Sequence, residues 1–294
     1  MASLKEIRTR IASVSSTQKI TGAMKLVSAA KLRKAQTAIL TLRPYSNKLN
    51  EILSNLSGLD QEYDSIPYFT KREPKNVTLI IISSNRGLCG SFNANIVKEV
   101  NRVIKADYAQ QLANNTLKLI CFGRKGFEQL GRLYDVDIEY HEAIIDNPSF
   151  DDLTEITKRL LDEFAQQKID KIDVVYNRFL NPATQKVEHE SFLPIQNEIK
   201  EADQKNANID FLFDTPKLQL LEELIPKILK IKMFKSLSDS IASEHGARMT
   251  AMAKATDNAN EMLKDLKLKY NNARQSSITT ELLEIISGAN ALDA

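Results

Sequence analysis

Tryptophan is absent from the 294-residue chain and aromatic residues make up only 6% of it, few for a compact pocket that grips a ligand by ring contacts. Cysteine is scarce. Cys89 and Cys121 alone cannot build a disulfide framework, which suits a reducing compartment. No stretch approaches the roughly 18 consecutive apolar residues that would cross a bilayer, so no direct membrane span is expected. The N-terminus is basic and Ser-rich but has no apolar secretory core. Ser3-Leu4-Lys5-Glu6 reads instead as a helix capping box, and Met1 is taken as the start of the working protein. A net charge excess is missing too. Charged residues make up 27% but sum to +2, so the whole chain has no strong pull toward nucleic acid.

The distribution of proline says most about organisation. All eight prolines lie between Pro44 and Pro226. Proline removes a backbone donor and clashes inside a helix, so its absence from both ends permits two long helices. Residues 23–43 and 239–287 are rich in Ala, Lys, Leu, Met, Glu and Gln, all good helix formers. The expected first helix covers residues 4–43, with a resumption to about residue 56, and the expected last helix covers 239–287, ending at Gly288. At 1.5 Å per residue these reach roughly 60 and 75 Å, too long for a compact domain. Leu4, Ile7, Ile11 and Val14 keep 3/4 spacing until Gln18 and Thr21 interrupt it. Met249, Met252, Ala259, Leu263, Leu266, Tyr270 and Ala273 repeat that spacing. Alanines at 23, 29, 30, 35, 247, 251, 255 and 259 permit close approach. The simplest arrangement is an antiparallel coiled coil between the two chain ends, its imperfect stripe leaving other faces for partners.

Between the ends the period changes. Val77-Thr78-Leu79-Ile80-Ile81-Ile82 and Leu117-Lys118-Leu119-Ile120-Cys121-Phe122 read as buried strands. Residues 136–140 and 172–179 read as two further strands, and 187–193 as an alternating edge strand. Helices are expected at 94–110, 125–131 and 150–167. This alternation implies a mainly parallel, Rossmann-like α/β domain covered on both faces. Asp214-Thr215-Pro216 reads as a helix start, with Pro226 kinking that helix. The expected parts are an N-terminal helix (1–57), an inserted α/β domain (72–205) and a C-terminal segment (211–294) that pairs with the first.

Catalytic chemistry is sparse. The loop Ser83-Ser84-Asn85-Arg86-Gly87-Leu88-Cys89-Gly90-Ser91 could cradle phosphate at a helix N-terminus. It matches neither dinucleotide nor P-loop spacing, and it lacks an acidic ribose ligand about 20 residues on. Gly123-Arg124-Lys125-Gly126 has the form of a nucleic-acid clamp, but four residues agree by chance easily. Cys89 could be nucleophilic at a helix N-terminus, yet His141, His189 and His245 are scattered, so Cys89 reads as a small buried hydrophobe. The same scatter argues against a metal site, and no cofactor is expected. Asp151-Asp152 and Glu222-Glu223 are adjacent on helices, so each pair diverges. Two long helices without clustered chemistry point to a mechanical part rather than an enzyme.

Acid is what the N-terminal end lacks. Residues 1–48 hold Lys5, Arg8, Arg10, Lys19, Lys25, Lys31, Arg33, Lys34, Arg43 and Lys48 against the single acid Glu6. Such a helix seeks an acidic surface: nucleic acid, anionic lipid or acidic loops of a protein partner. An enzyme with its site at the loop after the first strand is a further alternative.

Three blocks bear a family resemblance. Gln18-Lys19-Ile20-Thr21, Ala23-Met24-Lys25-Leu26-Val27 and Lys31-Leu32-Arg33-Lys34-Ala35 resemble the N-terminal helix of the gamma subunit of F-type ATP synthases. Arg86-Gly87-Leu88-Cys89-Gly90 resembles its central motif. Ala247-Arg248-Met249-Thr250-Ala251-Met252, Ala255-Thr256-Asp257-Asn258-Ala259 and residues 270–279 resemble its C-terminal signature. The resemblance implies a rotor without catalytic residues. Its coiled coil would stand in a ring of alpha and beta subunits, its foot on a c-subunit ring beside epsilon, with nucleic acid no partner. It would couple ion-driven rotation to ATP synthesis and regulate ATPase activity and ion flow. Met24 then passes the acidic loops of beta, and Lys25, Lys31, Arg33 and Lys34 complement them. Arg248, Gln275 and Thr279 fall at coupling positions. Phe211, Phe213 and Asp214 fall at the foot, with Phe where relatives can carry Tyr. Leu282, Leu283, Ile285, Ile286 and Leu292 form an apolar tip. Cys89 and Cys121 lie outside the chloroplast version's regulatory insert, so thiol regulation is not expected. The missing leader implies a bacterial chain at the cytoplasmic face of the plasma membrane.

Overall fold

A computed structural model describes residues 4–57, 66–195 and 217–292. The chain forms two compact units, one of Met1–Ser28 with Met249–Ala294, the other of Ala29–Arg248. Helix α1 (Leu4–Ser57) and helix α7 (Lys217–Leu292) contribute to both. Each runs through a proline, Pro44 in α1 and Pro226 in α7, where the sequence suggests a break and a kink. The carbonyls that lose their donors belong to the residues four back, Leu40 and Glu222. Both residues are exposed, so water can satisfy those groups. Gly288 likewise lies inside α7 and does not end it.

In the first unit the two helices pair. Leu4, Ile7, Ile11, Val14, Gln18, Thr21 and Ser28 of α1 are buried or half-buried, as are Met252, Thr256, Ala259, Leu263, Leu266, Tyr270 and Ala273 of α7. Both sets keep the 3/4 spacing of a coiled-coil seam. Arg8 Nη2 donates to Tyr270 Oη at 2.8 Å, Gln18 Nε2 to Asn260 Oδ1 at 3.1 Å, and Thr256 Oγ1 to Thr21 Oγ1 at 2.8 Å. The α7 partner falls from 270 to 256 as the α1 position rises from 8 to 21, so the pair is antiparallel in a single register. Gln18 and Thr21 do not interrupt the stripe. They continue it as polar positions that find partners across the seam, and Thr21 passes its own proton on to the Gln18 carbonyl at 3.1 Å.

The second unit holds a five-stranded sheet in the order β3-β2-β1-β4-β5. The strands are β1 (Val77–Ile82), β2 (Leu117–Phe122), β3 (Asp137–His141), β4 (Lys171–Asn181) and β5 (Thr184–Leu193). The first four run parallel, and β5 pairs antiparallel with β4. Helices α2 (Phe92–Asp107), α3 (Ala109–Ala113), α4 (Arg124–Leu133), α5 (Ala143–Asp146) and α6 (Phe150–Ala165) connect them. Strand β1 is buried throughout because both of its faces are covered. Val77, Leu79 and Ile81 pack with Phe92, Ile96, Val100 and Ile104 of α2. Ile80 and Ile82 pack with Leu153, Leu160 and Phe164 of α6 and with Leu221, Ile225, Leu229, Met233, Leu237 and Ile241 of α7. The strand order and the two-sided cover are those of a doubly wound, Rossmann-like sheet. The helix expected at 94–110 breaks at Tyr108. That side chain turns inward and its hydroxyl donates to buried Asp173 of β4.

Candidate functional site: an arginine clamp at the ends of β1 and β4

The strand order reverses between β1 and β4. Open α/β sheets usually take their ligands at that crevice, beyond the carboxyl ends of the strands. Here the chain fills much of it. Ser240 Oγ of α7 donates to the Ile82 carbonyl at the end of β1 at 3.3 Å, and Ser243 Oγ donates to the Asn177 carbonyl of β4 at 3.0 Å. A Cβ on Gly246 would sit 3.2 Å from the Pro182 backbone in the turn between β4 and β5, a tight contact, so α7 lies close against that turn. Residues 236–244 are buried on every side of the helix, which explains why this stretch shows no amphipathic period.

The loop after β1 closes on itself. Asn93 of α2 reaches back: its Oδ1 accepts from the Ser84 N–H at 3.1 Å, and its Nδ2 donates to Ser84 Oγ at 2.7 Å and lies 3.3 Å from Cys89 Sγ. Ser84 Oγ donates in turn to the Arg86 carbonyl at 2.7 Å. The first N–H groups of α4 are also taken. Arg124 donates to Asn85 Oδ1 at 3.0 Å, Lys125 to the Ser84 carbonyl at 2.9 Å and Gly126 to Ser83 Oγ at 2.9 Å. A helix N-terminus whose donors are spent on the protein offers little to a phosphate. Gly123 and Gly126 serve this packing. Gly123 has a φ of 105°, and a Cβ there would lie 2.2 Å from the Ser83 carbonyl oxygen.

Arg248 of α7 clamps the loop. Its Nη2 donates to the Arg86 carbonyl at 3.0 Å and to the Gly87 carbonyl at 3.3 Å, while Nη1 meets Glu244 Oε1 at 2.7 Å. Both members of this ion pair are buried, with 7% of Arg248 and 5% of Glu244 exposed. Burial pushes the Glu244 carboxyl up, against the pull of Arg248 and of Lys31 on α1. Burial, Arg248 and Lys31 together push His245 down to about 4. The ring is therefore neutral at pH 7, and its Nδ1 can accept from Arg248 Nη1 at 3.3 Å. Burial raises the Cys89 thiol and pushes the Cys121 thiol up to about 12. Neither has the depressed pKa of a nucleophilic cysteine.

The structure thus joins two blocks that lie far apart in the chain, Arg86 and Gly87 with Arg248. Cys89 is tucked beneath the loop, and Gly90 is exposed with a φ of 61°. Lys25, Lys31, Arg33 and Lys34 are exposed along α1, and Met24 is half-buried. Gln275 and Thr279 are exposed one turn apart on α7, with Thr279 Oγ1 donating to the Gln275 carbonyl at 2.9 Å. Phe211, Phe213 and Asp214 lie outside the described residues. Sequence reasoning missed Glu244, Ser240 and Ser243. The signal available was a run of serines and acids inside a helix with no polar side.

Among the described residues no group of His, Cys, Asp or Glu could hold a metal ion, and no helix is long and apolar enough to cross a membrane. A family model described as ATP synthase matches residues 3–292. The chain is 50% identical over 293 residues to the ATP synthase gamma chain of Christiangramia forsetii, and the match covers 100% of both chains. It is 47% identical over 296 residues to the ATP synthase gamma chain of Cytophaga hutchinsonii, again covering 100% of both. Its fold is similar to a chain from the Euglena gracilis mitochondrial ATP synthase, with a TM-score of 0.65 at 19% identity over 98% of this chain and 94% of that one. It is also similar to a chain of the Tetrahymena thermophila mitochondrial ATP synthase central stalk and c-ring, with a TM-score of 0.60 at 24% identity over 80% of this chain and 99% of that one. Family match, full-length relatives and fold agree, and the chain belongs to the ATP synthase gamma-chain family.

Proposed function

We propose that the chain is the central rotor stalk of an F-type ATP synthase. It couples rotation of a membrane c ring, driven by an ion gradient, to ATP synthesis in a head of alpha and beta subunits, and it regulates ATPase activity and ion flow. Its partners on this reading are alpha, beta, epsilon and the c ring. By itself it is non-catalytic, and it sits peripherally on the cytoplasmic face of a bacterial plasma membrane. The observation that carries the reading is the full-length match to gamma chains, in a fold whose two long helices pair antiparallel. The packed crevice at β1 and β4 supports a mechanical part, because α7 occupies much of the place where a sheet of this kind ordinarily takes a ligand.

The working parts divide as 1–57, 72–205 and 211–294. Met24 with Lys25, Lys31, Arg33 and Lys34 faces acidic loops of the head. Gln275 and Thr279 contact the head directly, while Arg248 acts through the loop that it clamps. Phe211, Phe213 and Asp214 face the c ring. Coupling of this kind needs differential contacts with each state of a partner, and an exposed basic face supplies them. The test is affinity capture of the tagged chain from a detergent extract of its own membranes. Alpha, beta and epsilon subunits are expected to co-purify at stoichiometric levels, and their absence sinks the reading.

A further inference from the structure

We propose that Glu244 is a positioning residue: through Arg248 it fixes the loop Arg86-Gly87-Leu88 on α7, so that loop and helix turn as one body. This rests on the rotor reading for its consequence, but not for its geometry. Arg248 has donors on two edges. Nη1 points at Glu244 one helical turn back, at 2.7 Å, and Nη2 and Nε point at the Arg86 and Gly87 carbonyls at 3.0 to 3.4 Å. The carboxylate sets the rotation of the planar guanidinium and compensates its buried charge. The loop in turn depends on the clamp. Leu88 sits at its tip with a left-handed φ of 63° and 62% of its surface exposed, a backbone state that a non-glycine residue keeps only when its surroundings impose it. Cys89 follows directly and is buried.

Glu244 gathers charges from several elements. Lys31 of α1 and Asp146 at the end of α5 act on it, with Arg248 on its own helix. Cys89 of the loop feels both Glu244 and Arg248. No other acid among the described residues holds Arg248. Removal of the carboxylate leaves a buried guanidinium without counter-charge, free to turn away from the two loop carbonyls.

Two thiols in the same chain report on this. Cys89 lies under the loop, and Cys121 lies in the interior strand β2 with no exposed surface. A buried thiol reacts through opening of the structure around it, so Cys89 reads the loop and Cys121 reads global unfolding. In the full chain, Glu244→Gln is expected to speed labelling of Cys89 by an aromatic disulfide reagent at least about tenfold and to leave Cys121 unchanged. Glu244→Asp, which keeps the charge but withdraws it from Arg248, is expected to fall between and serves if Glu244→Gln does not accumulate. In the assembled membrane complex the same variants are expected to lose part of the ion pumping obtained per ATP hydrolysed. Unchanged Cys89 labelling, or Cys121 rising in step with Cys89, overturns the proposal. So does an unchanged pumping ratio in a variant whose Cys89 has opened. Failure of the wild-type chain to join the complex overturns the rotor reading instead and leaves the thiol result standing.

Discussion

Replacing Gly123 and Gly126 by alanine separates two kinds of glycine that look alike in the sequence. At Gly123 the backbone has a φ of 105°, and the added Cβ meets the Ser83 carbonyl oxygen at 2.2 Å and its carbon at 2.6 Å. The obstacle is backbone at the end of the central strand and cannot swing away. The unusual conformation costs about 1–3 kcal/mol, and relief of the overlap by backbone shifts costs about as much again. Gly123→Ala should therefore lose roughly 2–6 kcal/mol, a large share of the 5–15 kcal/mol of a typical domain. At Gly126 the nearest atom is Ser83 Oγ at 2.7 Å, the end of a side chain. Its displacement loses the bond that the Gly126 N–H donates to it, about 1–3 kcal/mol. Alanine's better helix preference returns about 1 kcal/mol. The net loss is about 0–2 kcal/mol. A Ser83→Ala background removes the obstacle to Gly126→Ala and not that to Gly123→Ala. Urea unfolding of the three single and two double variants, with shared slopes, measures this. A Gly123→Ala variant within about 0.5 kcal/mol of wild type, or relieved by Ser83→Ala as much as Gly126→Ala is, refutes the reasoning.

The remaining predictions concern charge. Met24→Lys adds a cation beside Lys25 and the run Lys31, Arg33 and Lys34, and should weaken coupling while ATP hydrolysis persists; normal ATP-driven pumping in reconstituted vesicles counts against it. Asp173 is buried, and burial pushes its carboxyl up. The bonds from His189 at 2.6 Å and from Tyr108, with Lys171 at 3.3 Å, outweigh that and hold it below the usual range. Its stabilisation is thus present above the unfolded carboxylate pKa and is lost as pH falls through the lower folded value. Asp173→Asn should cost about 1–3 kcal/mol at pH 7 and shrink the acid limb of a stability–pH curve; a limb of unchanged size argues otherwise. His245 titrates at 6.5 when unfolded and at about 4 in the fold, so the unfolded chain binds the extra proton between those values. Stability is then complete above the unfolded pKa and falls by at most about 3 kcal/mol as pH drops toward 4. His245→Gln should flatten that window, and a ring-proton NMR titration of His245 near 6.5 refutes the shift.

Much of the fold was legible because the relevant signals are local. Val77–Ile82 and Leu117–Phe122 are strands over the whole of their apolar runs, since burial on both faces needs a continuous β-branched stretch. The helix ends were less legible. Pro44 and Gly288 are local breakers, yet α1 and α7 run on through them. Gln18 and Thr21 looked like gaps because an apolar count cannot see a hydroxyl or amide whose partner lies 242 or 235 residues away. The clamp was half legible. Arg248 and Arg86-Gly87 stood out as blocks of a family pattern, but nothing local joins positions 162 and 161 residues apart. Glu244 read as one more helix-forming acid.

The crevice between β1 and β4 explains how a nucleotide-type sheet can serve a mechanical part. A ligand site there needs free donors at the helix N-termini and room beyond the strand ends. In this chain the donors of α4 are spent on Ser83, Ser84 and Asn85. Much of the room is taken by α7, whose serines bond the carbonyls at β1 and β4 as a ligand's hydroxyls would. The occupant is covalently part of the chain and so cannot dissociate. Torque applied to α7 must then act on the sheet through side chains buried on every side of residues 236–244, where sliding would part Ser240 and Ser243 from the Ile82 and Asn177 carbonyls and Arg248 from the Arg86 and Gly87 carbonyls. The cost of leaving such groups unpaired, about 1–3 kcal/mol each and more for the charged ones, opposes that sliding. The polar bonds that leave α7 fasten it to the domain, and those of Ser240 and Ser243 to the strand carbonyls matter to it as much as those of Arg248 to the loop.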